Sequence, residues 1–262
     1  AMLERLEKII HSCTSETESY NCEICHDTEM IPETDENGDT RFKNCVCVQR
    51  KRAERLLRKS GLANVIEQQT FDSFIEETPT QMFIKSKALD YLDALMKARE
   101  DWKCRAPWFY IGGNPGSGKT HICTAICGEL LKKTIAVKYM KWIDEARRLK
   151  FFVHDENFDE LVADYSEVSV LYIDDLLKQK FTSEPVFTEA DIKIAFTILN
   201  ERYIRNKPTI ISSEWDLVKH LLPADEGTFS RVYERCRRHT VSIKRDTENN
   251  YRMRGDLGDS SM

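Results

Sequence analysis

Gly113-Asn-Pro-Gly-Ser-Gly-Lys-Thr120 is the most informative segment of this chain. It places glycines, a lysine and a hydroxyl in the order of a loop that binds phosphate groups. Pro107-Trp-Phe-Tyr-Ile111 before it is typical of a short buried strand, and residues 121–132 after it repeat apolar residues at helical spacing. Strand, glycine loop and helix are the context that such a loop requires, so the pattern predicts a nucleotide triphosphate site.

The loop suggests a chemical role for its individual residues. Gly113, Gly116 and Gly118 permit backbone angles and a close approach that a side chain would block. Lys119 is expected to reach the β- and γ-phosphates, and the Thr120 hydroxyl to coordinate Mg²⁺. An ordinary glycine-rich turn is the alternative interpretation. The candidate nucleotide-binding residues are Gly113, Asn114, Pro115, Gly116, Ser117, Gly118, Lys119, Thr120 and His121.

Two adjacent acids, Asp174 and Asp175, end the apolar stretch Val168-Ser-Val-Leu-Tyr-Ile-Asp-Asp175. A β-branched and aliphatic run that ends in two acids is typical of a central parallel strand whose carboxyl end opens into a site. Mg²⁺ needs a carboxylate at such a position. Asp174 would hold the metal through water, and Asp175 would orient and deprotonate the attacking water. The alternative is a strand followed by an acidic turn.

Length and composition agree with an intracellular enzyme of moderate size. The 262 residues suffice for one large α/β domain and a small appendage, and the formal net charge is −5. The chain has no run of about eighteen apolar residues and no signal-peptide pattern, so we expect a cytoplasmic protein without a membrane partner. Nine cysteines in that compartment indicate metal ligands or free thiols rather than disulfides.

Four cysteines form two close pairs, Cys22-Glu-Ile-Cys25 and Cys45-Val-Cys47, with nineteen residues between the pairs. Four thiolates on two such turns can close a tetrahedral zinc site, which would supply about 10 kcal/mol of folding free energy to a small segment. The alternatives are four incidental thiols, or a ligand set that includes His11, Cys13 or His26. The other cysteines are predicted to be core or surface residues: Cys104, Cys123, Cys127 and Cys236.

The rest of the chain alternates between predicted helices and buried strands, without a linker or an internal repeat. Strands are predicted at residues 109–112, 136–140, 170–174, 209–212 and 240–243. Helices are predicted at residues 3–11, 48–59, 81–99, 121–132, 142–150, 189–205 and 229–237. This order predicts an α/β fold with a parallel sheet. We expect an N-terminal cysteine-rich, zinc-binding module over residues 1–62 and an ATPase domain over residues 63–262.

Basic residues are concentrated in two places. The predicted helix at residues 48–59 contains Arg50, Lys51, Arg52, Arg55, Arg58 and Lys59, with Glu54 as its acid. It is either a solvated face or a contact for nucleic acid or an acidic partner. The second group comprises Lys138, Lys141, Arg147, Arg148 and Lys150, interleaved with Tyr139, Trp142, Phe151 and Phe152. These aromatics could stack on single-stranded DNA or could belong to the core.

Several short motifs, taken in order, resemble those of the DnaC/DnaI helicase-loader group of AAA+ ATPases, which also includes the transposition helper IstB. The order of the motifs is more specific than any one of them. They are Cys22-Glu-Ile-Cys-His-Asp-Thr28, Cys45-Val-Cys47, Thr70-Phe-Asp-Ser-Phe74, Gly113–His121, Ile173-Asp-Asp175, Asn200-Glu-Arg-Tyr203, Lys207-Pro-Thr-Ile-Ile-Ser-Ser213, Ser230-Arg231 and Tyr251-Arg252.

The resemblance implies roles for further residues. The family carries a polar sensor of the γ-phosphate, commonly an asparagine, after the strand that here includes Thr209-Ile-Ile211, and the candidates are Ser213 and Glu214. Arg231 matches an arginine that enters the neighbouring subunit's site, where such a residue can accelerate phosphoryl transfer by about 10³ to 10⁵. A surface position on a basic helix is the alternative for Arg231. Arg252 is a candidate second sensor.

The resemblance also implies a function for the whole chain. The expected catalytic residues are Lys119, Asp174, Asp175, Arg231 and Ser213. We expect an ATP-hydrolysing loader of a replicative DNA helicase hexamer that binds ATP or ADP, Mg²⁺ and single-stranded DNA and self-associates in the ATP state. A sequence pI of 5.8 restricts DNA contact to a local, salt-dependent surface. The alternatives are a transposition helper ATPase and a nucleotide-gated adaptor that hydrolyses ATP weakly.

Overall fold

The structure is a computed structural model, and it describes residues 20–34, 39–60, 63–100, 104–179, 186–244 and 250–252. The chain divides into two compact units, residues 1–49 and residues 50–262. The predicted helix at residues 3–11 and the alternative ligands His11 and Cys13 lie outside the described residues. The expected domain boundary after residue 62 stays a prediction.

The first unit contains an antiparallel hairpin between the two cysteine pairs. Its strands are β1 (Met30–Thr34) and β2 (Thr40–Asn44), and Met30 lies opposite Asn44. Nearly all side chains of both strands are exposed, so their sequences lack the alternation that would have predicted a half-buried hairpin. Because the strands are antiparallel, the end of β2 lies beside the start of β1. This places the second cysteine pair beside the first.

The second unit alternates between helices and strands, as predicted. After β2 the elements are α1 (Val46–Ser60), α2 (Ala63–Ile66), α3 (Pro79–Glu100), β3 (Phe109–Gly113), α4 (Lys119–Lys132), β4 (Val137–Lys141), α5 (Trp142–Lys150), α6 (Phe158–Glu167), β5 (Val170–Asp174), α7 (Glu189–Ile204), β6 (Thr209–Ser213), a π-helical turn (Leu217–Leu221), α8 (Leu222–Ala224), α9 (Glu226–Cys236) and β7 (Thr240–Ile243). The predicted strands are confirmed to within a residue. Helix α6 was not predicted, although its apolar residues recur at helical spacing.

The five strands of this unit form one parallel sheet in the order β4-β5-β6-β3-β7. Gly112 of β3 lies opposite Ser213 of β6, and Ile173 of β5 lies opposite Ile211 of β6. Because parallel strands end at the same edge, the segments after β3, β5 and β6 meet there. The glycine loop and the two acids are therefore neighbours in space.

Alternate residues of the central strands face opposite layers of helices. In β5, Val170 and Tyr172 belong to the core beneath α3 and α4, whereas Leu171 and Ile173 belong to the core beneath α5, α6, α7 and α9. The fully buried pattern of β3, β5 and β6 follows from this two-sided cover. Among the described residues, no helix is both long enough and apolar enough to cross a membrane.

Arg202 is a fully buried cation that joins the end of α6 to the start of β6. Its guanidinium donates to the carbonyls of Tyr165 at 2.8 Å and Val168 at 3.0 Å, and to Thr209 Oγ1 at 2.9 Å. It also donates to the carbonyls of Ser166 and Pro208. These bonds satisfy carbonyls that a helix end leaves without partners. Burial lowers the pKa of Arg202 to about 9.

Candidate functional site

The glycine loop adopts backbone angles that exclude other residues. Gly113 has φ +118°, and a Cβ there would lie 2.0 Å from the Ile243 carbonyl oxygen of the neighbouring strand. Gly116 has φ +73°, and a Cβ there would lie 2.1 Å from Asn250 Oδ1. The loop is thus held against β7 on one side and residues 250–252 on the other.

Lys119 begins α4 and turns its ammonium group back into the loop. Nζ donates to the carbonyls of Asn114 at 2.7 Å and Gly113 at 3.0 Å. Burial lowers the pKa of Lys119 to about 8, while the nearby Asp175 and Glu214 favour its charged form. A bound polyphosphate would provide this buried cation with anionic acceptors in place of neutral carbonyls.

Asp174 lies at the end of β5 within a cage of hydroxyl groups. Oδ1 accepts from Ser212 Oγ at 2.6 Å, from Tyr172 OH at 2.7 Å and from Thr120 Oγ1 at 3.3 Å. Oδ2 accepts from Tyr139 OH at 2.9 Å. Burial, together with the charge of Asp174, raises the pKa of both tyrosines, so they remain protonated donors.

The Thr120 hydroxyl and the Asp174 carboxylate are the oxygen ligands that Mg²⁺ prefers in proteins. They come from different elements, and the 3.3 Å between their oxygens leaves them adjacent. The structure therefore brings together the two residues that the sequence assigned to magnesium. The chemistry of this pair fits a hard divalent cation beside a phosphate site.

The turn after β5 carries Asp175 and is tied to the end of β6. The backbone N–H of Asp175 donates to Ser212 Oγ at 3.0 Å, and that of Leu176 donates to the Ser212 carbonyl at 2.8 Å. Ser213 Oγ donates to the Leu176 carbonyl at 2.8 Å and accepts from the Trp215 N–H at 3.1 Å. Ser213 is fully buried and its hydroxyl contacts backbone groups, whereas the resemblance implied a contact with the γ-phosphate.

Lys178, which sequence reasoning missed, stands between two acids at this turn. Its Nζ lies 2.9 Å from Asp175 Oδ2 and 2.9 Å from Glu214 Oε1. Burial by itself would lower the pKa of Lys178, but the two ion pairs outweigh it and raise the pKa. Burial and the charge of Asp174 raise the pKa of Asp175, against the ion pair with Lys178.

A pocket of about 200 Å³ joins these groups. Its walls are formed by the glycine loop, the start of α4, the turn after β5, the end of β6 and the segment at residues 250–252. The lining residues are Gln69, Pro115, Gly116, Gly118, Lys119, Thr120, His121, Asp175, Lys178, Glu214 and Arg252. Lys119, Lys178 and Arg252 thus face one space together with Asp175 and Glu214.

His121 connects α4 to the segment Thr70-Phe-Asp-Ser-Phe74. Its Nε2 lies 2.9 Å from the Thr70 carbonyl and 3.3 Å from Ser73 Oγ, and its ring meets the edge of Phe74 at 5.3 Å between centroids. His121 also lines the pocket. The segment before α3 therefore forms one boundary of the candidate nucleotide site.

Arg231 and Arg252 have different surroundings. Arg252 lines the pocket of about 200 Å³, and the N–H of the preceding residue, Tyr251, donates to the Gly116 carbonyl at 3.1 Å. Arg231 lies on α9, donates to the Gly227 carbonyl and stands 5.9 Å from the centre of the Tyr203 ring. It is not among the residues that line its own chain's pocket.

The cysteine pairs converge as expected. Cys22 Sγ lies 3.7 Å from Cys45 Sγ, Cys25 Sγ lies 3.5 Å from Cys47 Sγ, and all four sulfur atoms lie within 4.8 Å of one another. A tetrahedral site with Zn–S bonds of about 2.3 Å requires sulfur separations of about 3.8 Å. The four thiols are buried, and none of them forms a disulfide. The described donor set therefore fits a metal ion, and His26 instead stacks on Tyr20.

The Cys22 and Cys47 thiols have pKa values that differ from that of an isolated cysteine. A backbone hydrogen bond from Cys25 lowers the pKa of the Cys22 thiol to about 6, although burial opposes it. Burial and the neighbouring thiols raise the pKa of Cys47 to about 12. A bound cation would favour the thiolate form at each sulfur.

The basic residues of β4 and α5 form ion pairs with acids. Lys138, Lys141 and Lys150 pair with Asp164, Asp144 and Asp191, and Arg147 and Arg148 pair with Asp144 and Glu145. Trp142 is buried, and Tyr139 serves Asp174, so these two aromatics are structural. Phe151 is 83% exposed.

The basic helix α1 presents a different surface. Arg52, Arg55 and Arg58 are exposed. Arg50 and Arg58 line a cavity of about 510 Å³, whose wall also includes Ile66 and Ala125. Cationic side chains in the wall of such a cavity are compatible with an acidic partner or with nucleic acid.

Among the site residues that were not predicted, Tyr172 could have been identified from its spacing in the sequence. Tyr172 precedes Asp174 by two positions, which places both on the same face of β5. Tyr139, Ser212 and Lys178 reach the site from neighbouring strands and from a turn. Their positions depend on strand order, which the motifs do not specify.

Comparison with known proteins agrees with this geometry. The model of a family described as IstB-like ATP binding protein matches residues 48–256. The Bacillus subtilis (strain 168) protein YqaM is 34% identical over 214 residues, which are 79% of this chain and 65% of YqaM. The Escherichia coli (strain K12) replicative helicase loader DnaC is 29% identical over 125 residues, which are 47% of this chain and 48% of DnaC.

The fold also has a counterpart among solved structures. A crystal structure of the DnaC helicase loader superimposes with a TM-score of 0.53 at 18% sequence identity, covering 69% of this chain and 98% of that one. This likeness concerns the fold alone. The family match covers most of the chain, including the glycine loop, both acids and the parallel sheet. The chain therefore belongs to the DnaC/IstB-like family of AAA+ ATP-binding proteins.

Proposed function

We propose that this chain hydrolyses ATP and couples hydrolysis to the loading of a replicative DNA helicase. The observation that carries the proposal is the convergence of Lys119, Thr120, Asp174 and Asp175 at one edge of the sheet, around the glycine loop. ATP is the proposed nucleotide because the matching family is described as ATP-binding. Hydrolysis also requires a metal ligand and a base for the attacking water, and the two acids beside the loop are suited to these roles.

Each residue then has a defined task. Lys119 exchanges the loop carbonyls for the β- and γ-phosphates. Thr120, and Asp174 through water, would hold Mg²⁺, which would supply positive charge to the phosphate oxygens. Asp175 orients the attacking water and accepts its proton, and its raised pKa favours that acceptance.

Arg231 completes the site from a neighbouring protomer in this proposal. A guanidinium opposite the developing phosphate charge accelerates phosphoryl transfer, and a residue outside its own pocket is available for a partner's pocket. Self-association in the ATP state would therefore set the rate of hydrolysis. The ATP state would in turn control contact with the helicase and with DNA.

The helicase is the proposed partner because a relative that is 29% identical over 125 residues is named a replicative helicase loader. The cysteine cluster binds zinc in this proposal and stabilises a module that contacts the helicase. Single-stranded DNA contact is assigned to α1, on which Arg52 and Arg55 are exposed.

Co-purification with a candidate replicative helicase tests the proposal directly. The full chain should retain the helicase in ATP and Mg²⁺ and should release it in ADP. A Lys119→Ala chain should not respond to ATP. Retention that is independent of nucleotide would contradict the switch, and absence of binding in every state would remove the helicase as the partner.

A transposition helper is the second candidate, because the matching family model carries the IstB description. That match begins at residue 48, so the cysteine cluster lies outside it, which favours the loader. Parallel pull-downs with a replicative helicase and with a transposase encoded beside the gene would separate the two.

A weakly hydrolysing adaptor is the third candidate, because an acid, Glu214, lines the pocket near the expected sensor position. Phosphate release by the full chain, measured with and without single-stranded DNA, decides between enzyme and adaptor. Turnover that depends on Mg²⁺ and is abolished by Lys119→Ala would establish the enzyme. Tight ATP binding without release of phosphate would establish the adaptor.

A further inference from the structure

An acid, Glu214, follows β6 at the position where the resemblance implies a neutral sensor of the γ-phosphate. Glu214 lines the phosphate pocket, and a carboxylate there would repel the γ-phosphate of a bound nucleotide. Ser213, the other candidate, is buried and engaged with the backbone at Leu176 and Trp215. Neither candidate by itself offers a donor to the phosphate.

Lys178 places an ammonium donor beside Glu214. Its ammonium lies 2.9 Å from Glu214 Oε1 and 2.9 Å from Asp175 Oδ2, and it lines the same pocket as Lys119. An ammonium has three donors, so two ion pairs leave capacity for a further anionic acceptor. The side chain is 32% exposed and therefore accessible from the pocket.

The backbone holds Lys178 in this position through a constrained turn. Asp175 and Leu177 both have φ +57°, a conformation that is unfavourable for residues with a side chain. The Lys178 N–H donates to the Asp175 carbonyl at 2.9 Å, and Trp215 Nε1 donates to the Leu177 carbonyl at 3.0 Å. Ser213 Oγ fixes the residue between them, since it donates to the Leu176 carbonyl.

We propose that Lys178, anchored by Glu214, is the group that detects the γ-phosphate in this chain. The inference rests on the proposed ATPase function and adds a specificity-determining residue to the same pocket. Ser213 acts as a positioning residue, because its hydroxyl holds the turn from which Lys178 projects. The ion pair of Lys178 and Glu214 thus replaces the neutral polar sensor that the family resemblance implies.

The proposal predicts a loss of nucleotide discrimination. Lys178→Gln should weaken binding of the non-hydrolysable analogue AMPPNP by about 10-fold to 100-fold, the effect of one charge-assisted hydrogen bond. Binding of ADP, which lacks the γ-phosphate, should change by less than about twofold. Calorimetric titration of the full chain with each nucleotide and Mg²⁺ measures both constants. Lys178→Arg should retain most of the discrimination, because it keeps the charge.

A double variant distinguishes direct contact between Lys178 and the γ-phosphate from mere neutralisation of the Glu214 charge by Lys178. Lys178→Gln with Glu214→Gln removes both charges and leaves neutral polar groups at both positions. If Lys178 contacts the phosphate, the double variant still discriminates poorly between AMPPNP and ADP. If Lys178 only neutralises Glu214, the double variant recovers the discrimination of the unmodified chain, and the proposal is overturned.

A control variant completes the test. Lys97→Gln removes an exposed lysine that pairs with Asp93, and it should leave both affinities unchanged. Equal weakening of AMPPNP and ADP by Lys178→Gln, or no weakening, would also overturn the sensor role. Failure of the unmodified chain to bind either nucleotide would instead refute the proposed ATPase function, so the two failures are distinguishable.

Discussion

The Thr120 hydroxyl donates to Asp174 Oδ1 across 3.3 Å, and this contact joins the helix after the glycine loop to the end of β5. The two residues are far apart in the sequence and belong to different motifs. Their contact exists because β3 and β5 end at the same edge of the sheet, separated by β6. The proposed magnesium ligands are thus in place within the fold itself.

Substitution of the two acids should separate metal binding from catalysis. Asp174→Asn should reduce the contribution of Mg²⁺ to ATP affinity, because it removes a charged ligand. Asp175→Asn should preserve binding but lower turnover by about 10² to 10⁴, the usual contribution of a general base. Calorimetry with and without Mg²⁺ and a phosphate-release assay measure the two effects. Similar turnover in Asp175→Asn and the unmodified chain would contradict the role of Asp175.

Nucleotide binding should depend on pH through Lys119. Burial lowers its pKa to about 8 without nucleotide, and contact with phosphate would raise that pKa again. The nucleotide therefore favours the protonated form, so affinity should be highest below pH 8 and should fall above it, by at most about tenfold per pH unit. Calorimetry between pH 7 and pH 9.5 tests this. A Lys119→Met chain should bind weakly and should lack the dependence, whereas an unchanged slope would assign it to another group.

The same pKa shift also affects folding stability. Between pH 8 and the ordinary lysine pKa of about 10.5, the unfolded chain binds more protons at Lys119 than the folded chain does. This group therefore makes the free energy of unfolding rise with pH in that interval. Comparison of urea unfolding of the unmodified chain and Lys119→Met at pH 8 and pH 10 isolates the contribution of this residue. An identical pH dependence of the two chains would contradict the assignment.

Arg231→Ala should affect only the assembled protein. The side chain does not line its own pocket, so affinity for AMPPNP should change by less than about twofold. Turnover at protein concentrations that permit self-association should fall by about 10³ or more if the guanidinium acts in a neighbouring site. Arg238→Ala is a matched control beyond the end of α9. Equal turnover of Arg231→Ala and the unmodified chain in the assembled state would remove this role.

Removal of one thiol from the cysteine cluster should release the metal. Cys25→Ser should reduce bound zinc, measured by elemental analysis of the purified full chain, because three thiolates bind far more weakly than four. Cys104→Ser, which lies outside the cluster, should retain the metal. A metal-free preparation of the unmodified chain with a folded first unit would contradict the zinc proposal.

Arg202→Met should destabilise the second unit by about 3 to 5 kcal/mol, the usual result of removing one member of a buried charged network. The substitution leaves Thr209 Oγ1 and several carbonyls without their donor. Arg205→Met is the control, since Arg205 is 47% exposed and its surface ion pairs contribute about 1 kcal/mol or less. Urea unfolding measures both, and similar values for the two variants would show that the buried network contributes little.

Sequence patterns were sufficient for much of the fold and part of the site. Short buried runs such as residues 170–174 predicted the strands, because a strand covered on both faces by helices is apolar throughout. The strands Met30–Thr34 and Thr40–Asn44 gave no such signal, since nearly all of their side chains are exposed. A pattern of burial cannot be read from residues that are not buried.

Local sequence was enough to predict the parts of the candidate site that depend on local chemistry. Glycines at 113, 116 and 118, Lys119 and the two acids after an apolar run are recognisable because loop geometry and charge require those residue types at those spacings. Tertiary structure alone decided which side chains surround them. Tyr139 and Ser212 reach Asp174 because β4 and β6 flank β5, and Lys178 meets Glu214 because the turn after β5 is bonded to the end of β6. Strand order sets these contacts, and no local spacing in the sequence encodes it.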